Sequence, residues 1–250
     1  MMSITPKQKG FSLAEVLLAV CTLAIGMSFI GGTFLVAIHL STVSTERTIA
    51  AVVADEAFAK VRMYATSIIA DPNDPNQLIP NYYIYSFPTV CTPVNNIFYV
   101  DIPDYEFAYP STKITVDKQY YWSALCRKTG ERLIQVTVFV SRKIGRSIYP
   151  GGTEPVPEKI NVSIVPGVGN ENLLTINDID KQFYINDGYT VVSNMTGRLY
   201  RVLKRNADNP NMIILDKSWL ESDSSVWVVP PPVGGGRYPC IAIYQQIIRF

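Results

Sequence analysis

Histidine is almost missing from this 250-residue chain, and His39 is the only one. A Ser/His/Asp triad would have to be built on that residue, which lies at the end of an apolar run rather than among nucleophiles and carboxylates. Charge is sparse as well: 17% of residues are charged and the formal net charge is +1. That balance excludes a broad electrostatic attraction to nucleic acid or to an anionic membrane surface. The four cysteines, Cys21, Cys91, Cys126 and Cys240, form no CxxC pair and have no histidine beside them, which argues against a zinc site. No phosphate loop or dinucleotide fingerprint occurs. The run Val233-Gly234-Gly235-Gly236-Arg237 follows three prolines and reads as a loop. Neither an enzyme nor a bound cofactor or metal is expected. What the chain does have is Tyr, Val, Ile and Pro in quantity, a mixture that favours β-structure with many turns.

The charges are also unevenly placed. Residues 1–10 are polar and carry Lys7 and Lys9, whereas Phe11 to Leu40 is apolar apart from Ser, Thr, Glu15 and His39. About 20 apolar residues cross a bilayer core as a helix, so this run is long enough. It is too long for a secretory signal, and the two lysines would hold its start in the cytoplasm. A plain signal-anchor accounts for the run but not for Glu15. A carboxylate inside a membrane helix is costly and points to function. If cleavage after Gly10 freed the amine of Phe11, one subunit's Glu15 could pair with a neighbour's Phe11 ammonium and set axial register in a bundle of such helices.

The run Lys9-Gly10-Phe11-Ser12-Leu13-Ala14-Glu15-Val16-Leu17-Leu18-Ala19 resembles the leader junction of type IV pilins and type II secretion pseudopilins. The resemblance implies that residues 1–10 are a leader removed by a prepilin peptidase between Gly10 and Phe11, and that Phe11 becomes the N-methylated first residue. Glu15 matches the family's acidic fifth mature position. The continuation Ala24-Ile25-Gly26-Met27 resembles minor rather than major subunits. Ala14 is smaller than the residue usual there. The implied fold is α+β: a long N-terminal helix, membrane-spanning in its first half, packed on an antiparallel pilin-like sheet. The implied partners are the prepilin peptidase, other pilins or pseudopilins in a filament, and a bacterial inner membrane crossed once. The N-terminus would be cytoplasmic and the rest periplasmic.

Helical spacing of Ile49, Val52, Val53, Ala57, Val61 and Ala65 extends the helix over residues 11–70, and Asp71-Pro72-Asn73-Asp74-Pro75-Asn76 stops it. Gly26, Gly31 and Gly32 could permit close helix packing or local melting, or be simply tolerated. Residues 71–148 read as the sheet, with strands at 82–86, 97–100, 113–116, 120–127 and 132–143. Ile134, Val136, Val138 and Val140 alternate toward a core that the long helix would cover. Residues 149–158 read as a linker, and 159–250 as a β-rich C-terminal module. Its strands are expected at 160–165, 183–185, 189–193, 199–204, 212–215, 226–229 and 240–248, in a small barrel or sandwich or as an extension of the sheet.

Smaller features carry further expectations. In an oxidising compartment Cys91–Cys126 would staple the sheet, with Cys126–Cys240 or Cys91–Cys240 as the alternatives. Asp101/Asp104, Asp178/Asp180 and Asp71/Asn73/Asp74 are short-spaced oxygen donors where calcium is conceivable, solvated turns being the plainer reading. Arg198, Arg201, Lys204 and Arg205 with Tyr189 and Tyr200 make a modest basic-aromatic cluster. They support the alternative function, a pilin-like subunit that captures DNA or a secreted substrate through its C-terminal region.

Overall fold

The computed structural model describes residues 12–68, 83–85, 104–112, 118–130, 133–165, 171–219 and 224–249. The chain divides into two compact units, Met1–Glu46 and Arg47–Phe250, and one helix, α1 (Leu13–Ile68), supplies residues to both. No proline or glycine interrupts it after Gly32, as the sequence requires of a continuous helix. With the antiparallel strands that follow, the fold is α+β.

In the second unit, one face of α1 is made mostly of small residues. Ala50, Val53, Ala54, Ala57, Phe58 and Val61 are buried against Val136, Val138, Val140, Trp122 and Ile248. Those partners lie on a five-stranded antiparallel sheet. Its strands are β1 (Tyr83–Tyr85), β2 (Ala108–Tyr109), β3 (Tyr120–Gly130), β4 (Leu133–Arg142) and β11 (Cys240–Arg249). The order is β1-β3-β4-β11, and β2 adds to the same edge of β3 as β1. The valine alternation expected on β4 therefore does face the helix, each fully buried valine contributing about 1.5–3 kcal/mol. The expected strands at 97–100 and 113–116 lie outside the described residues.

The last strand corrects the expected boundary of the C-terminal module. Cys240–Arg249 does not belong with the residues before it; it returns to the first sheet and pairs with β4 from Ser141 to Leu133. Between β4 and β11 the chain forms a closed antiparallel barrel. Its strands are β5 (Glu158–Ile164), β6 (Leu173–Ile176), β7 (Thr190–Ser193), β8 (Leu199–Arg205), β9 (Met212–Leu215) and β10 (Ser225–Val228). They close in the order β10-β5-β6-β9-β8-β7. Closure removes the edges that six short strands would otherwise leave open. Inward-facing side chains such as Ile160, Val162, Leu174, Ile213, Val202 and Val226 fill it. The barrel is thus inserted into a hairpin of the sheet: Arg142 N–H, leaving β4, donates to Pro239 O just before β11 at 2.8 Å.

The barrel packs on the face of the sheet opposite the helix. Leu125 and Phe139 from the sheet meet Val192, Trp227 and Val229 from the barrel, with Cys240 between them. This explains why β10 is buried at all four positions: Val226 and Val228 point into the barrel and Trp227 into the joint. The β7–β8 turn is latched to the sheet by polar contacts. Arg127 Nη1 donates to Met195 O, and Gln245 Nε2 donates to Gly197 O. Gly197 has φ +69°, and a Cβ there would stand 3.1 Å from Gln135 Nε2, so glycine is favoured.

Residues 149–158, expected as a linker, are held by specific bonds. Tyr149 is buried and bridges Gly152, its hydroxyl accepts from Ile144 N–H at 3.1 Å, and Lys143 pairs with the buried Glu154 at 2.9 Å. Burial raises the Tyr149 phenol above its ordinary value. Residues 183–185 also differ from expectation: Phe183 and Tyr184 end a 3₁₀ helix, Ile179–Tyr184, so no strand starts there.

Burial pushes the Cys240 thiol up to about 12 from an ordinary 9.0. Below about pH 9 both folded and unfolded chains keep that proton; above it the unfolded chain loses it first, so stability falls toward pH 12. The buried Tyr238 phenol, raised well above 10.0, adds to the fall at higher pH. Denaturant midpoints of the wild type should drop between about pH 8 and about pH 10.5, and Cys240→Ala should lessen the drop.

Candidate functional site

The first described residues form an N-terminal cap. Ser12 Oγ accepts from Glu15 N–H at 3.3 Å, while Glu15 Oε2 accepts from Ser12 N–H at 2.8 Å and from Ser12 Oγ at 3.1 Å. Ser12-Leu13-Ala14-Glu15 is therefore a reciprocal capping box, which satisfies two backbone donors at a helix start. The spacing Ser-x-x-Glu is legible in the sequence, but reading Glu15 only as a membrane charge passed over it. Gly10 and Phe11, the expected cleavage and methylation positions, lie outside the described residues, and so does the Phe11 partner expected for Glu15.

Beyond the cap and as far as Leu40, α1 is apolar on all sides. Leu13, Phe29, Ile30 and Leu35 are 70–80% exposed. Among the described residues, α1 contains an 18-residue window of mean hydropathy 2.2, none of it buried. The hydroxyls in the run donate back to the helix itself: Thr22 to Ala19 O at 2.9 Å, Ser28 to Ala24 O at 3.0 Å and Thr33 to Phe29 O at 3.1 Å. Such back-bonding hides polar groups from an apolar surrounding. The helix is long and apolar enough to cross a membrane and fits a single-pass anchor. His39 and Cys21 are exposed on the same helix. A Cβ at Gly26, Gly31 or Gly32 would meet nothing within 4 Å among the described residues.

The other expected sites fare differently. Cys91 lies outside the described residues, and with it the Cys91–Cys126 and Cys91–Cys240 pairings. Cys126–Cys240 is excluded by geometry. Cys126 packs on the helix side of the sheet and Cys240 on the barrel side. They align with Val136 and Ser141 of β4, with that strand between them, so they stand about 18 Å apart. A disulfide needs Cα atoms within roughly 7 Å.

Asp178 is a turn staple: its oxygens accept from Asn161 N–H at 2.9 Å and Asn161 Nδ2 at 3.1 Å. The first of these bonds holds its carboxyl below the usual range. Asp71, Asn73, Asp74 and Asp101 lie outside the described residues, and among those described no three His, Cys, Asp or Glu residues gather to hold a metal.

The basic-aromatic cluster loses its aromatic half. Tyr189 and Tyr200 point into the barrel, where Tyr189 stacks on Tyr238 at 3.7 Å between ring centroids and Tyr200 packs on Trp219 at 4.7 Å. Period-two alternation along β8 puts Tyr200 and Val202 inside and Arg201 outside, so those tyrosines cannot stack on bases. Arg205 is engaged locally, donating from Nε to Pro210 O at 3.1 Å and from Nη1 to Asn186 Oδ1 at 3.2 Å.

Comparison with protein-family models, curated proteins and solved structures found no match to this chain. Tyr200→Ala should act as a core truncation, lowering unfolding free energy by about 3 kcal/mol in denaturant titration. Arg201→Ala should change stability by less than about 0.5 kcal/mol.

Proposed function

We propose that this protein is a structural subunit, of the minor pilin or minor pseudopilin kind, anchored by its N-terminal helix and built into a filament through it. The observation that carries the reading is the division of labour along α1. From Leu13 to Leu40 the helix offers an apolar surface all round, opened by one acidic residue, while from Ala50 to Val61 it is sealed onto an antiparallel sheet. A surface of the first kind needs a lipid or protein surrounding, and an assembly of like helices provides the second once subunits leave the bilayer.

In this reading a prepilin peptidase cuts between Gly10 and Phe11, and Phe11 is methylated. Glu15 leaves or shares its bond with Ser12 to meet a neighbour's Phe11 ammonium, so that register is set by neutralising two charges in an apolar bundle. The sheet and barrel are carried on the periplasmic side and face outward from the filament core. The chemistry the chain undergoes is its own processing.

N-terminal mass analysis of protein from cells with and without the peptidase tests this. The expected product lacks residues 1–10 and carries a methylated Phe11 only when the peptidase is present. An intact N-terminus in both strains would sink the reading. Glu15→Ala should leave the protein in the membrane fraction but abolish its recovery in sheared filaments.

A further inference from the structure

Lysine is seldom buried, and Lys60 of α1 is buried with two carboxylates rather than one. Its side chain is 7% exposed. Nζ lies 2.6 Å from Glu56 Oε1, one helical turn back, and 2.8 Å from Glu106 Oε2 on the turn Asp104–Phe107 that precedes β2. It also donates to the Glu106 carbonyl at 2.7 Å. Neighbours hold each member in place: Trp122 Nε1 donates to that same carbonyl at 2.9 Å, and Ser111 Oγ donates to Glu56 Oε1 at 2.7 Å. The surroundings are apolar, with Phe107 and Trp122 in ring contact at 4.8 Å and Ala57 and Val61 on the same helix face. A buried charge is normally matched by one partner; here a second carboxylate sits on the same nitrogen and leaves the ionised trio with a formal charge of −1.

An amine, a carboxyl carbon and a second carboxylate held together are the three parts that amide formation needs. We propose that Lys60 and Glu106 are a modification site, joined by an isopeptide bond between Nζ and Cδ with Glu56 as the proton relay. Glu56 takes a proton from Nζ and passes it to the Glu106 carboxylate, giving a free amine beside a neutral acid. The nitrogen lone pair attacks Cδ and the C–N bond forms. Glu56 then moves a second Nζ proton to the departing oxygen, the C–O bond breaks, and water leaves. Two of the three Nζ protons depart on that water, one remains on the amide, and Glu56 is restored. Nothing is oxidised or reduced, and no other reactant is consumed. Fixing both reactants in one packed site replaces an encounter of dilute groups with an effective molarity on the order of 10⁵ M or more. The bond would tie α1 covalently to the segment that leads into the sheet, so the helix could not peel away when pulled.

Intact-mass measurement and peptide mapping of the full chain, extracted in detergent, decide the matter. The expected product lacks the mass of one water, and its digest contains a branched peptide joining Lys60 to Glu106, with no proteolytic cut after Lys60. Glu56→Gln, checked as folded by circular dichroism, keeps both reacting groups and should show the full mass. A wild-type protein with an uncrosslinked Lys60 overturns the proposal, and a water loss mapped to other residues does the same. Retention of the crosslink in Glu56→Gln would overturn the relay. Because the crosslink is read from internal peptides, the result does not depend on how the N-terminus is processed.

Discussion

The helix and sheet of the unit from Arg47 onward depend on one seam, where small side chains of α1 meet the three valines of β4. Ala50, Ala54 and Ala57 let the helix backbone come close, and Val53 and Val61 interdigitate with Val136, Val138 and Val140. Replacing an alanine with a larger residue would force the layers apart, because a packed interior cannot absorb the extra volume without strain. The alanines of that face are therefore set by the separation of two layers, not only by helix propensity.

Covering one face of the sheet leaves the other to be covered, and this chain does so with an insertion. Phe139 lies on the same strand as the three valines but on the opposite face, and it is as fully buried as they are. The barrel supplies its lid through Val192, Trp227 and Val229, and the indole N–H of Trp227 is satisfied by Asn194 Oδ1 at 2.9 Å. The insertion leaves and rejoins the sheet at adjacent points on β4 and β11, and the register shifts once where the chain rejoins, between Cys240 and Ala242. The tightly bonded segment around Tyr149 and Glu154 fits the same design: a slack connection would cost order each time the barrel docked.

Much of this was legible from local pattern. The long helix, the valine alternation of β4, and strands such as Met212–Leu215 follow from spacing alone. What escaped depends on distant parts of the chain. Cys240–Arg249 reads as a strand, but nothing in its residues says that it pairs with β4, about a hundred positions earlier, rather than with β10. Leu173–Ile176 is only four residues long and was missed between turn-rich neighbours. Phe183 and Tyr184 have strand propensity, yet they end the 3₁₀ helix Ile179–Tyr184, which follows Asp178 where that residue is held to Asn161. Tyr189 and Tyr200 looked like a binding surface because their sequence neighbours are arginines; closure of the barrel turned them inward. At the other end of the chain, Ser12 and Glu15 carried a capping signal in plain view beside the charge argument.

The apolar half of α1 stands apart from these packing relations, because none of the described residues covers it. Its surface asks for a surrounding that the described residues do not provide, and a single-pass membrane anchor fits that need. Protease accessibility in intact and permeabilised cells, combined with alkaline extraction of membranes, tests this most directly. The account predicts that the protein stays with the membrane pellet, and that protease reaches the residues from Arg47 onward from the periplasmic side alone. Release from the membrane by alkali, or digestion of the sheet and barrel only from the cytoplasmic side, would contradict it.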